Sequence, residues 1–341
     1  MASYRQLIII CMILSSFIAL GTEACYSIND RNGPDYIEFG AIPSGSAALV
    51  YVAQDQGFFI NEQIIVDVKD YSTGVETTDA LIAGDVDIAW SAEFPMVSRA
   101  FSKEAISILA VSSRFSDQYL FGLKKHGIKM VSDLNGKTIG LPLNTIGEFY
   151  LARFLELNGM DIKELCLIDV LPPDSVMIME DGGVDGILTW EPYTSTIKKQ
   201  MDGQVVYWPV QSSQAGFGIM IGRNGWLRDN TALVERFLRA LVRAEEYMIY
   251  NTEEAKEIVQ KRVGYDSSFL DIFWTENHFY ISLDQSLIVA MEDEARWMIN
   301  SDLTKEQKVP YFLDYIYEEP LKNVKPDAVN IIRRQTENEN K

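Results

Sequence analysis

The sequence predicts an α/β protein of two lobes that face each other across a cleft. Two observations lead there. Residues 79–90, DALIAGDVDIAW, and residues 180–190, EDGGVDGILTW, repeat one construction: a glycine-marked turn, Val-Asp, a short apolar strand and a tryptophan, with an acid and a proline following. In addition, short strands alternate with helical patterns, break off, and start again before the chain turns wholly helical. A chain of 341 residues is long enough for two domains of about 150 residues each.

Residues 1–24 read as an export signal, because Arg5 precedes the apolar run 7–20 and Gly21 and Ala24 supply small residues after it. Nothing later approaches the roughly 18 uninterrupted apolar residues of a membrane-spanning helix, so the mature body is expected to be soluble. Cys25 follows the signal directly. Either it becomes the lipidated first residue of a surface-tethered protein, or cleavage near Gly21 or Ala24 leaves it in a loose leader; Glu23 fits the lipoprotein pattern least well. Cys11 lies inside the signal, which leaves Cys166 alone in the body and excludes a disulfide framework. Between Leu165 and Leu167 it reads as a small buried hydrophobe.

The 49 acidic and 30 basic side chains give a net charge of −19. Such a surface repels nucleic acid and anionic lipid, so neither is an expected partner. The sign of a ligand stays open, since helix ends and backbone N–H groups set the local field of a cleft.

The elements follow in order. Residues 36–42 form a first strand, Pro43-Ser44-Gly45 a loop, and 47–56 a helix stopped by Gly57. A β-branched strand at 64–68 leads to a helix over 75–83 and a strand at 86–90, then a helix over 93–101, a strand at 106–111 and an extended segment at 119–123. The pattern restarts with a strand at 137–141, a helix over 147–158, a strand at 165–169, a helix over 174–180 and a strand at 184–188. Residues 193–199 are helical, 204–208 extended, and 217–221 make the return crossing. Connections this short imply mostly parallel sheets covered by helices.

From Asn230 the apolar residues Leu233, Val234, Phe237, Leu238, Leu241 and Val242 recur on one helical face. Asn251 followed by Glu254 is an N-terminal capping signature, and helices are expected over 284–300 and 304–317. The first lobe then comprises 36–118 with 217–325, against which the helical segment packs, and the second lobe 119–216.

This order resembles the periplasmic substrate-binding proteins of the nitrate, sulfonate and taurine type of ABC importer, over nearly the whole mature chain. The resemblance rests on Tyr51-Val-Ala-Gln-Asp-Gln-Gly-Phe-Phe59, Ala83-Gly-Asp-Val-Asp-Ile88, Asp133-Leu-Asn-Gly-Lys-Thr-Ile-Gly140 and Asp185 through Pro192. It implies a two-lobed type II periplasmic binding protein fold with a helical C-terminal segment, and a ligand held between the lobes by loops that follow strands.

Carried over by position, the ligand-holding loops are Ser44 and Gly45, then Thr73 and Gly74, with Asn144 and Thr145 from the other lobe. Hydroxyls donate hydrogen bonds, glycines let main-chain N–H groups approach closely, and a helix N-terminus favours an anion. Trp190 with Glu191 and Pro192 looks like the element that closes the cleft: the indole covers an apolar spacer or cation, and the carboxylate pairs with an ammonium. Trp90 and Glu93 form the counterpart in the first lobe, although Ser91 and Ala92 intervene. Ser112 and Arg114 follow a strand and line the wall, with Arg114 neutralising an anion if it points inward. Each residue also has a plainer reading as a helix cap, core tryptophan or surface charge.

Enzyme readings find little footing. Gly136-Lys-Thr138 lacks the first glycine of a phosphate loop and leads into a strand; His126 and His278 fall in no metal-ligand pattern, the first read as a loop residue and the second as a partly buried helix residue; and no nucleophile elbow occurs. Asp85, Asp87, Asp181 and Asp185 recur beside strand starts and read as turn residues. Enzymes that make the thiamine pyrimidine share the resemblance, but their cysteine-rich signature is missing.

The expectation is a monomeric receptor, without enzymatic activity or cofactor, that captures a small solute outside the cytoplasmic membrane and passes it to an ABC permease served by a separate ATPase subunit. A taurine-like zwitterion comes first, with Thr145 and backbone donors on the acid and Glu191 or Glu93 on the amine. A thiamine-precursor pyrimidine is the alternative ligand, and an extracytoplasmic sensor the alternative role.

Overall fold

Strand β1 (Asp35–Ala41) runs parallel to two neighbours, β2 (Ile64–Asp70) on one side and β3 (Ile88–Ala92) on the other. The computed structural model describes residues 33–333 apart from residue 213, so the expected export signal and Cys25 lie outside the described residues. Helices α1 (Ala48–Asp55), α2 (Phe58–Asn61), α3 (Gly74–Ala83) and α4 (Glu93–Phe101) connect and cover these strands. Gly57 stands between α1 and α2 at φ 67°, a left-handed conformation that a Cβ disfavours. Strand β4 (Ile106–Phe115) ends this first run.

The second sheet begins with β5 (Tyr119–Leu123), followed by β6 (Thr138–Leu141), α5 (Ile146–Leu157), β7 (Cys166–Asp169), α6 (Ser175–Asp181), β8 (Gly186–Thr189), α7 (Tyr193–Gln200) and β9 (Val205–Pro209). The chain then returns through β10 (Gly216–Arg223), which inserts antiparallel between β3 and β4. The seven-stranded order is β12-β11-β4-β10-β3-β1-β2 and the five-stranded order β7-β6-β8-β5-β9, with β11 (Asn277–Asp284) and β12 (Val329–Asn330) at one edge. These are two α/β lobes with mixed sheets.

The helical segment contains α8 (Asn224–Asp229), α9 (Thr231–Tyr250), α10 (Thr252–Val263), α11 (Ser267–Glu276), α12 (Gln285–Asn300) and α13 (Glu319–Val324). Leu233, Val234, Phe237, Leu238 and Leu241 of α9 are buried, and Phe237 stacks on Phe59 with ring centroids 5.4 Å apart. The largest apolar core is continuous between the lobes: Phe149 of α5 meets Phe94 of α4 at 6.3 Å and Trp297 of α12 at 5.6 Å. Arg153 adds an ion pair to Asp293 at 2.9 Å on the same seam.

Four local expectations are corrected. Residues 304–317 form no long helix but an irregular run with one 3-10 turn at Phe312–Tyr315, since Pro310 lacks the N–H a helix interior needs. His278 belongs to strand β11 and is exposed, because the aromatic and β-branched run after it pairs with β4 and alternates faces. Cys166 is exposed, lying on edge strand β7. Asn251 precedes α10 without a side-chain cap; its amide instead donates to the Tyr247 carbonyl at 3.1 Å.

Candidate ligand-binding site

The two lobes present the same strand arrangement. β6 lies between β7 and β8 as β1 lies between β2 and β3, and Gly140 pairs with Ile187 as Gly40 pairs with Ala89. Space is tight at both glycines: a Cβ on Gly140 would come within 2.9 Å of Val170, and one on Gly40 within 3.4 Å of Tyr71 and Val86. In such sheets the crevice opens beyond the carboxyl ends of the strands, where successive crossovers diverge.

A cavity of about 40 Å³, measured as space open to the centre of a water molecule, lies there. The first lobe contributes Ile42, Ser44 and Ser46 after β1, Gly74 at the start of α3, Trp90 and Ala92 from β3, Pro95 of α4 and Phe115 at the end of β4. The second contributes Thr145 and Ile146 at the start of α5, and Trp190 after β8. Asp117 and Gln118, in the segment that carries the chain from β4 to β5, complete the lining. None of these residues is Lys or Arg.

The structure thus brings five of the twelve expected residues, Ser44, Gly74, Trp90, Thr145 and Trp190, to one cavity. Their hydrogen bonds define what they can offer. Ser44 Oγ accepts from the Ser46 N–H at 3.3 Å, leaving its own proton to donate. Thr145 Oγ1 donates its proton to the Pro142 carbonyl at 2.7 Å and accepts from the Gly147 N–H, so the proton is committed to Pro142 and the oxygen caps α5. Gly74 begins α3 where a Cβ would lie 2.8 Å from Ser91 Oγ, so the start of the helix packs closely on β3.

The other seven are not brought to it. The Gly45 N–H donates to Tyr265 Oη at 2.9 Å. Thr73 caps α3 through its oxygen, and Asn144 is exposed at φ 59° with its N–H on Glu148. Ser112 Oγ donates to the Gly218 carbonyl within the sheet. Arg114 lies over the Phe217 ring at 4.5 Å and lines a separate groove with His278 and Tyr280. Glu191 accepts from the Thr194 hydroxyl and from both the N–H and hydroxyl of Ser195, after a cis bond to Pro192. It lines a neighbouring groove that shares Ile42 and Trp190 with the cavity.

Glu93 is sealed at 1 % exposure, accepting from the Phe217 N–H at 3.0 Å. Burial pushes its carboxyl up to about 7. Beside it Glu294 has no exposed surface, and burial together with the charge of Glu93 and the hydrogen bond between the two carboxyls raises it well above the usual carboxylate range. This pair is a feature of the interlobe seam, under Tyr150 of α5, rather than of the cavity.

Counted from Asp87 and Asp185, Glu93 and Glu191 both fall six residues on, but Trp90 is three on and Trp190 five. Structurally Trp190 matches Ala92, and Trp90 sits within its strand against Phe115, ring centroids 6.4 Å apart. The shared tryptophan at the end of both constructions is a coincidence of sequence.

Sequence reasoning missed Asp117 and Gln118. Burial, with Glu276 and its charge nearby, pushes the Asp117 carboxyl up to about 7, and Gln118 Oε1 is buried with no hydrogen-bond partner. Their signal was their place between two predicted strands assigned to different lobes.

Paired α/β lobes with a lined cavity at their strand ends define a two-lobed solute-binding protein. A family model described as NMT1/THI5 like matches residues 45–255, and the chain belongs to that family. The chain is 26% identical over 231 residues to a putative binding protein of Brucella abortus (strain 2308), covering 66% of this chain and 70% of the relative. It is 24% identical over 212 residues to the taurine-binding periplasmic protein of Escherichia coli (strain K12), covering 61% and 65%. With the formylaminopyrimidine-binding protein of Halalkalibacterium halodurans it shares 23% over 223 residues, 64% and 67%. Its fold matches the periplasmic aliphatic sulphonate binding protein SsuA from Escherichia coli at a TM-score of 0.68 with 16% identity, over 86% of this chain and 99% of that one. The family is characteristic of non-catalytic, extracytoplasmic solute-binding proteins of ABC importers, which serve a permease and its ATPase.

Proposed function

We propose that this protein captures a small, amine-bearing organic solute in the cavity between its lobes and presents it to a permease. The observation that carries the reading is the lining itself: equivalent strand ends of both lobes converge on a space with aromatic walls, one carboxylate and no cationic side chain. A bare oxyanion would lack a charged partner there. A zwitterion of the taurine type would place its acid group on the Ser44 and Ser46 hydroxyls and the N-termini of α3 and α5, and its amine away from them. A second reading, an aminopyrimidine, is favoured by Trp90, Phe115 and Trp190, which suit a flat ring.

In this reading the lobes are 36–118 with 217–325 and 119–216, with crossings at 116–118 and at Val210 and Gln211, and a solute touching both shifts the population toward the closed form. The receptor acts as a monomer in the periplasm, with Cys25 as its tether if it is lipidated. Thermal unfolding of the mature chain against taurine, alkanesulfonates, nitrate, amino acids and aminopyrimidines tests the reading. Selective stabilisation by an amine-bearing member supports it; stabilisation by nitrate or a simple sulfonate alone contradicts it.

A further inference from the structure

We propose that Asp117 and Gln118 form the subsite that selects the solute's amine, so that specificity for an N–H donor resides on the hinge and not on either lobe. This inference rests on the proposed function and assigns to the crossing segment the role expected of Glu191 or Glu93.

Three observations support it. First, the lining contains a single carboxylate, Asp117, at 5 % exposure, and among the described residues no cation pairs with it. An acid withdrawn from water with no cationic partner is costly unless a ligand supplies one. Second, the adjacent Gln118 Oε1 is buried and unpartnered. Carboxylate and carboxamide side by side offer acceptors to a group with more than one N–H, an ammonium or the exocyclic amine of a heteroaromatic ring. Third, both residues are held in place from behind. Gln211, in the other crossing segment, accepts from the Gln118 N–H at 3.1 Å and donates to the Phe115 carbonyl at 2.9 Å, while the Val210 N–H donates to the Gln118 carbonyl at 3.1 Å. The backbone of the subsite is therefore fixed by the two crossings themselves.

The competing acids are otherwise engaged. Glu191 is satisfied by Thr194 and Ser195, and Glu276 by the Tyr119 hydroxyl at 3.2 Å. A group on the hinge moves little when the lobes part. Asp117 would hold the amine in the open form, and Ser44, Thr145 and Trp190 would join the contact on closure.

The test uses two matched probe pairs, taurine with ethanesulfonate and 4-amino-2-methylpyrimidine with 2-methylpyrimidine, titrated calorimetrically into the wild-type chain and into Asp117→Asn. Asparagine keeps the shape and removes the charge; its unfolding midpoint is checked first and is expected at or above wild type. The wild type is expected to prefer the amine-bearing member of at least one pair by about tenfold or more. In Asp117→Asn that member is expected to lose about 30-fold or more in affinity, while its des-amino partner changes by less than about threefold, collapsing the preference. Gln118→Ala, an independent variant, is expected to lower the same preference partially. An amine preference that survives both substitutions overturns the assignment of these residues and leaves the proposed function standing. Failure of both pairs to bind the wild type overturns the proposed function and this assignment together.

Discussion

Asp87 and Asp185 hold the same place in the two lobes and make the same two bonds. The Asp87 N–H donates to the Glu38 carbonyl at 2.8 Å and its Oδ2 accepts from the Glu38 N–H at 3.0 Å; Asp185 does the same with Thr138, at 2.9 and 2.8 Å. Each aspartate locks the start of its strand to the neighbouring parallel strand, and thereby sets where the strand's far end meets the cavity. Asp185 also binds His126 Nδ1 at 2.8 Å, and Asp87 faces Arg223 at 3.7 Å.

Asp185→Ala is expected to cost about 1–3 kcal/mol by stranding the Thr138 N–H, and Asp87→Ala somewhat less because the Glu38 N–H lies nearer solvent. The residues share no partner, so urea unfolding of the double variant is expected to give the sum of the single losses.

The buried pair Glu93 and Glu294 makes stability depend on pH. A carboxyl whose native value is raised from 4.5 to about 7 keeps its proton in the folded state after the unfolded chain has lost it. Stability therefore falls as pH rises through that window, and the still higher native value of Glu294 carries the fall on above it. Thermal midpoints measured across it at high salt, which screens surface repulsion, are expected to show the fall. Glu294→Gln is expected to make it shallower and to raise the midpoint at about pH 8.

Trp90 and Trp190 both line the cavity but are expected to differ in what they contribute to the stability of the fold. Trp90 lies within β3 with Gly218 against its ring, so Trp90→Ala should cost about 3–5 kcal/mol. Trp190 lies past the end of β8 and lines both the cavity and the neighbouring groove. Trp190→Ala is expected to destabilise less and to weaken solute binding about tenfold or more, as loss of an aromatic wall does; denaturant titration and calorimetry on both variants check this.

Gly45→Ala probes how the helical segment reaches the cleft edge. A Cβ there would lie 2.2 Å from the Phe273 ring of α11, and the Gly45 N–H is bound to Tyr265 ahead of that helix. A loss of about 1–3 kcal/mol is expected, with faster amide exchange in α11 than elsewhere by hydrogen exchange.

The α/β alternation, its restart and the helical face of α9 were legible because they depend on local periodicity. The loops after β1 and before α5 were legible through Ser44, Thr145 and their glycines, which have few uses other than turns and caps. What could not be read was direction. Whether Arg114 or Glu93 points at the cleft depends on β10, a strand more than a hundred residues later in the chain that inserts between β3 and β4 and gives both side chains partners. The tryptophan correspondence misled because the alignment by Val-Asp and the alignment by Trp differ by two residues, an even shift that keeps the same face of a strand. Asp117 escaped notice because a connector between lobes carries no periodic signal.

The central claim, that a solute binds between the lobes at the strand ends, is tested most directly by calorimetric titration of the best stabilising solute into the wild type and into Ala92→Trp. Ala92 lines the cavity from the first lobe and is the structural counterpart of Trp190, so the larger side chain fills the space from the opposite wall. The account predicts one-to-one binding to the wild type and a loss of about 100-fold or more in the folded variant, as expected when a ligand's space is occupied. Undiminished affinity in Ala92→Trp would place the solute elsewhere and contradict it.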